Sequence, residues 1–488
     1  MKKRILSALL ASLMLVPSLA ACSEDAQPGE VTETADTTVV TEPPETELSD
    51  DLEKMDFKGQ SFTFLTTEVS HMQYAVTVYK EESADVLENA FYLRTQAVAE
   101  KYNINFNDDV IAKNSATSQT MFEQSVAAGD KAYDVAMLHD RRAFNSVSKG
   151  HFMDVAKLPN VNMEKPYWNQ RVNDAIRMTD ETYLAYGSLV LSLYDMTHVL
   201  LFNKDMQENL KLEDPYKLVK NGTWTLDKWR EMGLAARKDN NGDGVWDTKD
   251  TFSFVSANNV VLYNFLAGSL TRTMEADGKN NVRVHLLTDP KVEGNFSKVM
   301  DILWDTGFWF SKAENSNNYY TMYTFFQTNQ ALFADHTFFS MIQLRDMQSD
   351  FGVVPFPKAT EAQEEYGSLV EAGARVLTVP VTTRDPELTG AVLETLNFLS
   401  YRDVIPAYYE VVLKQKVTRD SESAQMLDLI LNSIYYDVGV TMFINQIDAI
   451  FRNLVRENKR EFVSNVQSLL PTIEKAVADA GGKAMLTE

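Results

Sequence analysis

Short apolar runs alternate with helical periodicities in the first part of the chain. Residues 61–65 alternate apolar and polar positions, which is typical of a strand. Residues 135–138 form an unbroken apolar run, which suits a strand buried on both faces of a sheet. Between them, a helix is predicted from apolar residues at helical spacing, namely Val86, Ala90, Leu93 and Ala97. This alternation of strands and helices predicts an α/β fold.

The same pattern returns late in the chain. Residues 351–355 and 376–380 are apolar runs that predict strands, and Asp385 followed by Pro386 predicts the capped start of a helix. A middle region, about 196–350, has helices and short strands of its own, and the chain after about residue 416 is almost wholly helical in pattern. One economical explanation of this arrangement is a discontinuous architecture, in which two lobes share two or three crossing segments.

The N-terminus has the pattern of an export signal. Lys2, Lys3 and Arg4 precede an apolar stretch that runs to about Leu19, and the small residues Ala20 and Ala21 lead to Cys22. Because the run ends on a cysteine, it resembles a bacterial lipobox, in which the thiol is acylated. An ordinary signal peptide that ends near a cysteine is the alternative. We therefore expect a signal peptide at 1–21, lipidation of Cys22 and an exported, tethered protein.

Residues 22–56 are predicted to be a disordered acidic linker. Residues 23–52 contain no lysine, arginine or aromatic residue, so this stretch cannot bury enough apolar surface to fold. Its repelling carboxylates would keep it extended between the lipid and the folded part.

Charge and cysteine content narrow the functional classes. The formal net charge is −23, and a surface of that sign repels nucleic acid and anionic lipid. We therefore expect no nucleic-acid partner, and contact with the membrane only through the lipid anchor. Cys22 is the single cysteine, so an intramolecular disulfide is impossible and stability must come from burial.

Residues 239–250 form a calcium-type loop. Glycine occupies the sixth position, where such loops turn sharply, and oxygen ligands recur at the spacing that Ca²⁺ prefers. The predicted ligands are Asp239, Asn241, Asp243, Val245 through its carbonyl, Asp247 and Asp250. Since the last ligand is aspartate rather than glutamate, we expect weak binding of Ca²⁺ in a structural role. A surface turn without metal is the alternative.

Several segments together resemble the extracellular solute-binding proteins of ABC sugar importers, the family 1 group that includes maltodextrin-binding proteins. The similar segments span about 57–470: YDVAMLHDR at 133–141, LLFNKD at 200–205, GTWTLD at 222–227, QALFAD at 330–335 and FGVVP at 351–355. The resemblance implies a two-lobed, type II periplasmic-binding-protein-like fold, whose discontinuous lobes are joined by hinge strands and followed by a helical C-terminal region. It places lobe 1 at 57–192 plus 357–415 and lobe 2 at 193–356 plus 416–488.

The resemblance also implies a function. Such a protein captures a carbohydrate, here an oligosaccharide, by closing its lobes, and delivers it to ABC permease subunits. It is not an enzyme and is expected to be a monomer on the extracellular face of the cell membrane. The lipobox and acidic spacer suit a Gram-positive member.

The candidate ligand-binding residues follow predicted strand ends, the expected hinge or an aromatic loop. They are His139, Asp140, Arg141, Trp168, Tyr194, Asp195, Trp309, Asp335, His336, Phe338, Glu371 and Arg375. In open α/β sheets, ligands bind beyond the carboxyl ends of the strands, which favours the residues after 138 and after 333. Each residue has a structural alternative, either a solvated loop or a satisfied position in the core.

Two other functional classes stay open at this point. An exported glycoside hydrolase or lyase needs two carboxylates across a glycosidic bond, and no pairing stands out in the sequence. A surface adhesion module would be consistent with the tether and the calcium-type loop, but such modules usually carry repeats, and we find none.

Overall fold

The structure is a computed structural model that describes residues 48–68, 77–256, 260–310, 319–341, 344, 346–412 and 421–486. The predicted signal peptide, Cys22 and the linker up to residue 47 lie outside the described residues. Within the described ranges, no helix combines the length and the apolar content needed to cross a bilayer.

The strands, in chain order, are β1 Gln60–Phe62, β2 Phe64–Thr67, β3 Ile104–Phe106, β4 Val110–Ala112, β5 Val135–His139, β6 His198–Asn203, β7 Phe252–Val255, β8 Met274–Ala276, β9 Asn281–Val284, β10 Trp309–Phe310, β11 Ala331–Thr337, β12 Phe351–Val354, β13 Ser368–Leu369, β14 Arg375–Thr378, β15 Ile434–Tyr435 and β16 Lys483–Met485.

The α-helices are α1 Val86–Tyr102, α2 Ser115–Ala128, α3 Asp140–Phe144, α4 Gln170–Ile176, α5 Ser192–Asp195, α6 Lys204–Asn209, α7 Pro215–Lys220, α8 Leu226–Ala236, α9 Val261–Gly268, α10 Pro290–Leu303, α11 Tyr319–Gln327, α12 Phe338–Met341, α13 Pro386–Leu399, α14 Ile405–Val412, α15 Ser421–Asn432, α16 Val438–Thr441, α17 Ile444–Arg456 and α18 Phe462–Asp479. A π-helical turn, Ser400–Val404, joins α13 to α14.

Two mixed sheets organise the fold. The first has the order β14-β5-β2-β4, in which β2 is parallel to β4 and β5 while β14 is antiparallel to β5. The second has the order β10-β7-β11-β6-β12, in which β10, β7 and β11 are parallel and β6 is antiparallel to both of its neighbours. The predicted α/β class is confirmed. We call the part around the first sheet lobe 1 and the part around the second sheet lobe 2.

Helix α1 forms where it was predicted but buries a different face. Val86 and Leu93 are 42% and 57% exposed, whereas Leu87, Phe91 and Val98 are almost fully buried. Apolar residues occur on more than one side of this helix, so their spacing indicates a helix without identifying the buried side. The Asp85 side chain caps the helix by accepting hydrogen bonds from the backbone N–H groups of its first turn.

The second crossing lies later than predicted. The boundary was placed at residue 357, but Lys358 N–H donates to the Trp224 carbonyl at 3.1 Å, and the Gln363 amide donates to the Gly268 carbonyl at 2.7 Å. Strand β13 then pairs with β15. The chain therefore stays with the elements of lobe 2 until about residue 370.

The predicted linker is also too long at its C-terminal end. Asp50 is only 7% exposed, forms an ion pair with Lys101 at 2.7 Å and accepts a hydrogen bond from the Thr395 hydroxyl at 2.5 Å. Asp51 contacts Lys165. The acidic composition predicted disorder because it offers little apolar surface, but basic and hydroxyl groups of lobe 1 hold these carboxylates. Ser49–Glu488 forms one compact unit.

We predict that Asp50→Ala lowers the free energy of unfolding by about 1–3 kcal/mol, because it leaves the part-buried Lys101 ammonium without its partner. Asp51→Ala is the matched control: its side chain is 65% exposed, and such surface ion pairs contribute little to stability. Urea denaturation of both variants would measure the difference. Equal losses would contradict the docking of Asp50.

Candidate ligand-binding site

Two crossing segments, 191–198 and 370–375, lie side by side between the sheets. Glu371 N–H donates to the Met196 carbonyl at 2.9 Å, and Thr197 pairs with Val370 in an antiparallel bridge. Arg375 N–H donates to the Ser192 hydroxyl at 2.9 Å. The two segments therefore form a short bonded ribbon rather than two independent linkers.

The ribbon joins the edges of the sheets at which ligands bind in open α/β folds. Arg375 begins β14 opposite His139, the last residue of β5. At the other end, His198 begins β6 opposite Thr337, the last residue of β11. We therefore define the candidate site as the carboxyl ends of β2, β5, β7 and β11 together with the two crossing segments.

A buried histidine–carboxylate group, which we call the hinge cluster, lies at the lobe 2 end of the ribbon. His198 Nδ1 is 2.7 Å from Asp335 Oδ1, and His198 Nε2 is 3.4 Å from Glu371 Oε2. The Asn264 amide donates to Asp335 Oδ2 at 2.9 Å. Burial by itself would lower the pKa of His198, but the Asp335 and Glu371 carboxylates outweigh it and raise that pKa to about 10. His198 is therefore an imidazolium at neutral pH.

Sequence reasoning selected Asp335 and Glu371 but missed His198. The available signal was a polar, titratable residue directly before the unbroken apolar run of β6, immediately after the predicted hinge residues Tyr194 and Asp195. A single histidine beside a core strand is more often structural than functional, and only the pairing of β6 with β11 places it beside Asp335.

His336 and Phe338 belong to the core of lobe 2 rather than to an accessible surface. His336 is 2% exposed and stacks on Tyr323 with a centroid distance of 4.7 Å. Burial and the nearby positive charge of His198 lower the pKa of His336 to about 3, so this ring is neutral. Phe338 is 1% exposed. For these two residues the structural alternative describes their positions better, because strand alternation turns His336 to the other side of β11 from Asp335.

A second buried group, the Asp140 cluster, lies at the lobe 1 end of the ribbon. Asp140 is fully buried, and its Oδ2 accepts a hydrogen bond from the Tyr436 hydroxyl at 2.9 Å while Tyr186 approaches at 3.5 Å. Its Oδ1 accepts from Gly373 N–H at 3.2 Å. Burial, followed by the charge of Asp140, raises the pKa of both tyrosines. The carboxylate is thus occupied in joining α3 to the ribbon and to the C-terminal region.

Gly373 occupies a backbone position that other residues rarely adopt. Its φ is +121°, and a Cβ atom there would lie 3.4 Å from His139 Nε2. The left-handed backbone conformation therefore accounts for glycine at this position, since the contact that a Cβ atom would make with His139 is an ordinary van der Waals one.

His139 and Arg141 remain partly accessible at this edge. The His139 side chain is 19% exposed and its Nδ1 lies 3.1 Å from Asp140 Oδ1. Arg141 donates to the Asn445 side chain at 3.1 Å and so connects α3 to α17. Both could contact a ligand through groups that face solvent.

The predicted hinge residues are largely occupied by protein contacts. Asp195 is 3% exposed and accepts a hydrogen bond from the Tyr408 hydroxyl at 2.8 Å. Arg375 is 5% exposed and donates to the Thr67 carbonyl at 2.6 Å; burial lowers its pKa to about 10, although the charge of Asp195 opposes the shift. Tyr194 is half-buried, and burial raises its pKa to about 12.

The two tryptophan candidates have different environments. Trp168 is 1% exposed, and its indole N–H donates to Glu394 at 2.8 Å, so it is a structural residue of lobe 1 and cannot stack on a ligand. The sequence predicted an aromatic loop at this position. In the structure Trp168 is buried, because its indole N–H is hydrogen-bonded to Glu394 on α13. Trp309 is only half-buried, and its indole N–H donates to Ser256, just beyond the end of β7. Trp309 therefore lies at the lobe 2 edge of the site.

The calcium-type loop is held by its own backbone. Asp239 accepts hydrogen bonds from Gly242 N–H and Gly244 N–H at 2.6 and 2.9 Å. Asp250 is fully buried and accepts from Asn240 N–H and Asp247 N–H at 3.0 and 2.9 Å. Among the described residues, no three histidine, cysteine or acidic side chains are grouped as metal ligands. The oxygen donors suit Ca²⁺ chemically, but occupancy would require some of these carboxylates to turn inward.

Comparison of the whole fold with solved structures gives consistent neighbours. A sugar transporter protein from Rhizobium etli in an open conformation is 14% identical to this chain, with a TM-score of 0.57. Apo RafE from Streptococcus pneumoniae is also 14% identical, with a TM-score of 0.56. Each of these two alignments covers 86% of this chain and 99% of the other. An ABC substrate-binding protein from Listeria monocytogenes in complex with cycloalternan is 13% identical, with the same coverage and a TM-score of 0.54.

The chain has the two-lobed fold of ABC solute-binding proteins. The predicted fold class is therefore confirmed. At these identities the similarity concerns the fold alone. No family model matches the sequence, and no curated protein matches it.

We predict that Tyr436→Phe lowers the free energy of unfolding by about 1–2 kcal/mol, because the buried Asp140 loses a hydrogen-bond donor. Tyr183→Phe, at a partly exposed tyrosine of lobe 1, is the control and should change stability by less than about 0.5 kcal/mol. Equilibrium denaturation at pH 7 measures both. A loss in the control as large as that in Tyr436→Phe would contradict a specific role for the Asp140 cluster.

Proposed function

We propose that this protein captures a carbohydrate between its two lobes and delivers it, chemically unchanged, to an ABC permease. The observation that carries the proposal is the bonded ribbon, which sets the binding edges of two α/β sheets at its two ends. Solved neighbours of the same fold include proteins in complex with maltotetraose, raffinose and cycloalternan.

The side chains at these edges suit a neutral, hydroxyl-rich ligand. Glu371 is partly exposed and supplies a carboxylate acceptor, while Arg141 and His139 supply donors at the opposite edge. Trp309 adds an aromatic ring, which can pack against the apolar C–H face of a pyranose. Binding would require contacts to both lobes, so that a ligand shifts the equilibrium toward a closed form.

We further propose that acylated Cys22 anchors the chain to the extracellular face of the membrane of a Gram-positive cell. The sequence pattern around Cys22 supports this proposal, as does the acidic segment between Cys22 and the docked residue Asp50. The permease would be the functional partner, and the protein would act as a monomer.

Binding without catalysis fits the chemistry of the hinge cluster. A glycoside hydrolase uses one carboxylic acid as a proton donor and a second carboxylate as a nucleophile or base. Asp335 and Glu371 instead flank an imidazolium, and Asp335 is also held by Asn264.

We propose that the loop at 239–250 binds Ca²⁺ weakly, through Asp239, Asn241, Asp243, the Val245 carbonyl, Asp247 and Asp250. The metal would clamp the connection between α8 and β7 and take no part in ligand capture.

The carbohydrate proposal predicts sugar-dependent stabilisation without turnover. A thermal-shift panel of maltotetraose, raffinose, cycloalternan and other neutral oligosaccharides should contain a ligand that raises the Tm, since binding to the native state stabilises it by mass action. Chromatography of the same mixtures after long incubation should recover the sugar intact. Release of shorter sugars would contradict the proposal, and a panel without any shift would contradict the ligand class.

Trp309→Ala provides the site-directed control for that panel. Loss of a stacked ring should weaken binding of the best sugar about 10- to 100-fold, which corresponds to roughly 1.5–3 kcal/mol. Trp168→Phe should lower the Tm because Glu394 loses a donor, but it should leave the affinity unchanged. The opposite pattern would contradict this placement of the two tryptophans.

The calcium proposal predicts that Ca²⁺ at about ten times its Kd stabilises the protein by about 1.4 kcal/mol, with a Kd in the range of about 0.1–1 mM. Asp243→Ala should abolish this stabilisation, because it removes an exposed ligand that contacts only its own loop. Lys249→Ala, in the same loop, is the control and should retain it. Calorimetric titration with Ca²⁺ that shows no heat for the unmodified protein would contradict the site.

A further inference from the structure

The hinge cluster joins one histidine to two carboxylates and is therefore more than a single ion pair. His198 is 3% exposed and lies between two carboxylates that come from different parts of the chain, Asp335 on β11 and Glu371 on the second crossing segment. These are the charged groups that face its ring within the described residues, and the adjacent His336 is neutral.

The two carboxylates differ in how many further hydrogen bonds they can accept. Asp335 directs one oxygen to His198 and the other to Asn264, and its side chain is 2% exposed. The Glu371 side chain is 22% exposed, and its Oε2 lies 3.4 Å from His198 Nε2. Glu371 therefore keeps acceptor capacity that Asp335 has already used.

Glu371 is also fixed through its backbone. Its N–H donates to the Met196 carbonyl, and the neighbouring Val370 pairs with Thr197. The position of its carboxylate thus depends on two restraints, the ribbon at the backbone and His198 at the side chain.

We propose that His198 is a positioning residue: as an imidazolium it holds the Glu371 carboxylate at the floor of the candidate site, where its remaining acceptor positions bind hydroxyl groups of a neutral sugar. This inference rests on the proposed function and identifies the residue that orients one hydrogen-bond acceptor of that site.

The charge of His198, and not only its shape, is essential to this role. Without it, the two carboxylates would lie on either side of an uncharged side chain in a largely buried site, and their repulsion would favour binding of a proton by one of them. In a His198→Gln variant, protonation of either carboxylate at low pH would remove one negative charge and so offset the missing positive charge. As the pH rises that proton is lost, and repulsion moves Glu371 away from its position.

The test is calorimetric titration of the best sugar from the panel at pH 5, 6.5 and 8. The unmodified protein should bind with constant affinity, because His198 stays charged across this range. His198→Gln should bind about 10- to 100-fold more weakly at pH 8, the size of a lost hydrogen bond to a charged group, and should partly recover at pH 5. Glu371→Gln should weaken binding about tenfold or more at every pH.

His336→Gln is the matched control, since it makes the same chemical change at a buried histidine one residue from Asp335. It should alter stability but leave the pH profile of binding flat. A His198→Gln variant with unchanged affinity at pH 8, or with a profile parallel to that of the unmodified protein, would overturn the proposal.

A measurement without ligand separates this proposal from the proposed function. Because the folded pKa of His198 is raised from about 6.5 to about 10, its stabilisation is fully present below pH 6.5 and is lost as the pH rises toward 10. The difference in Tm between the unmodified protein and His198→Gln should therefore shrink between pH 6.5 and 9.5. A constant difference would overturn the positioning role even if no sugar bound.

Histidine NMR on the unmodified protein covers the case in which His198→Gln fails to fold. The His198 ring should show both nitrogens protonated at pH 8, whereas His336 should be neutral. A neutral His198 at pH 8 would overturn the proposal, while an imidazolium combined with an empty sugar panel would reject the proposed function alone.

Discussion

The hydrogen-bonded ribbon between the two crossing segments is the constraint on which the rest of the structure depends. A backbone hydrogen bond from Glu371 N–H to the Met196 carbonyl and a hydrogen bond from Arg375 N–H to the Ser192 hydroxyl make the segments one unit. Such a ribbon can bend at its ends but resists independent movement of either segment. It therefore determines which residues of the two sheets face the same space, and it offers a physical basis for hinge closure around a ligand.

Buried charge is concentrated at the two ends of this ribbon. At one end Asp140 is satisfied by tyrosine hydroxyls and a backbone N–H, and at the other end His198 is flanked by Asp335 and Glu371. Isolated buried charges would be costly, but each is paired or hydrogen-bonded. Because the partners come from distant parts of the sequence, each cluster is satisfied only in the folded chain, and the Asp140 cluster also needs Tyr436 from the C-terminal region. Buried polar groups thus specify the arrangement more than they strengthen it.

The candidate residues fall into two groups according to their burial. Four buried residues have protein partners and hold the site in place, namely Asp140, Asp195, Arg375 and Asp335. Glu371, His139, Arg141 and Trp309 remain partly exposed and are the groups that a ligand could reach. A binding site of this kind needs both sets, since an acceptor or an aromatic ring is specific only when neighbouring contacts prevent it from moving. Trp168 and Phe338 belong to neither set, because both side chains are buried in the core.

The sequence by itself determined the elements of the fold that depend on local chemistry. Strand β5 follows from an unbroken apolar run, and helix α13 follows from Asp385 and Pro386 at its start. The α/β class could be predicted in the same way, since it depends on period and order along the chain, whereas the two lobes and their crossings were predicted from the resemblance to a known family. Residue types at strand ends likewise identified Asp335 and Glu371 as candidates.

Only the tertiary structure decided which candidates are accessible and which neighbours they have. The buried face of α1, the docking of Asp50 and the position of the second crossing depend on contacts with residues far away in the sequence. His198 meets Asp335 across 137 positions, and Asp140 meets Tyr436 across 296. Local pattern carries no information about such pairs, because burial and charge compensation are properties of the packed chain and not of any segment within it.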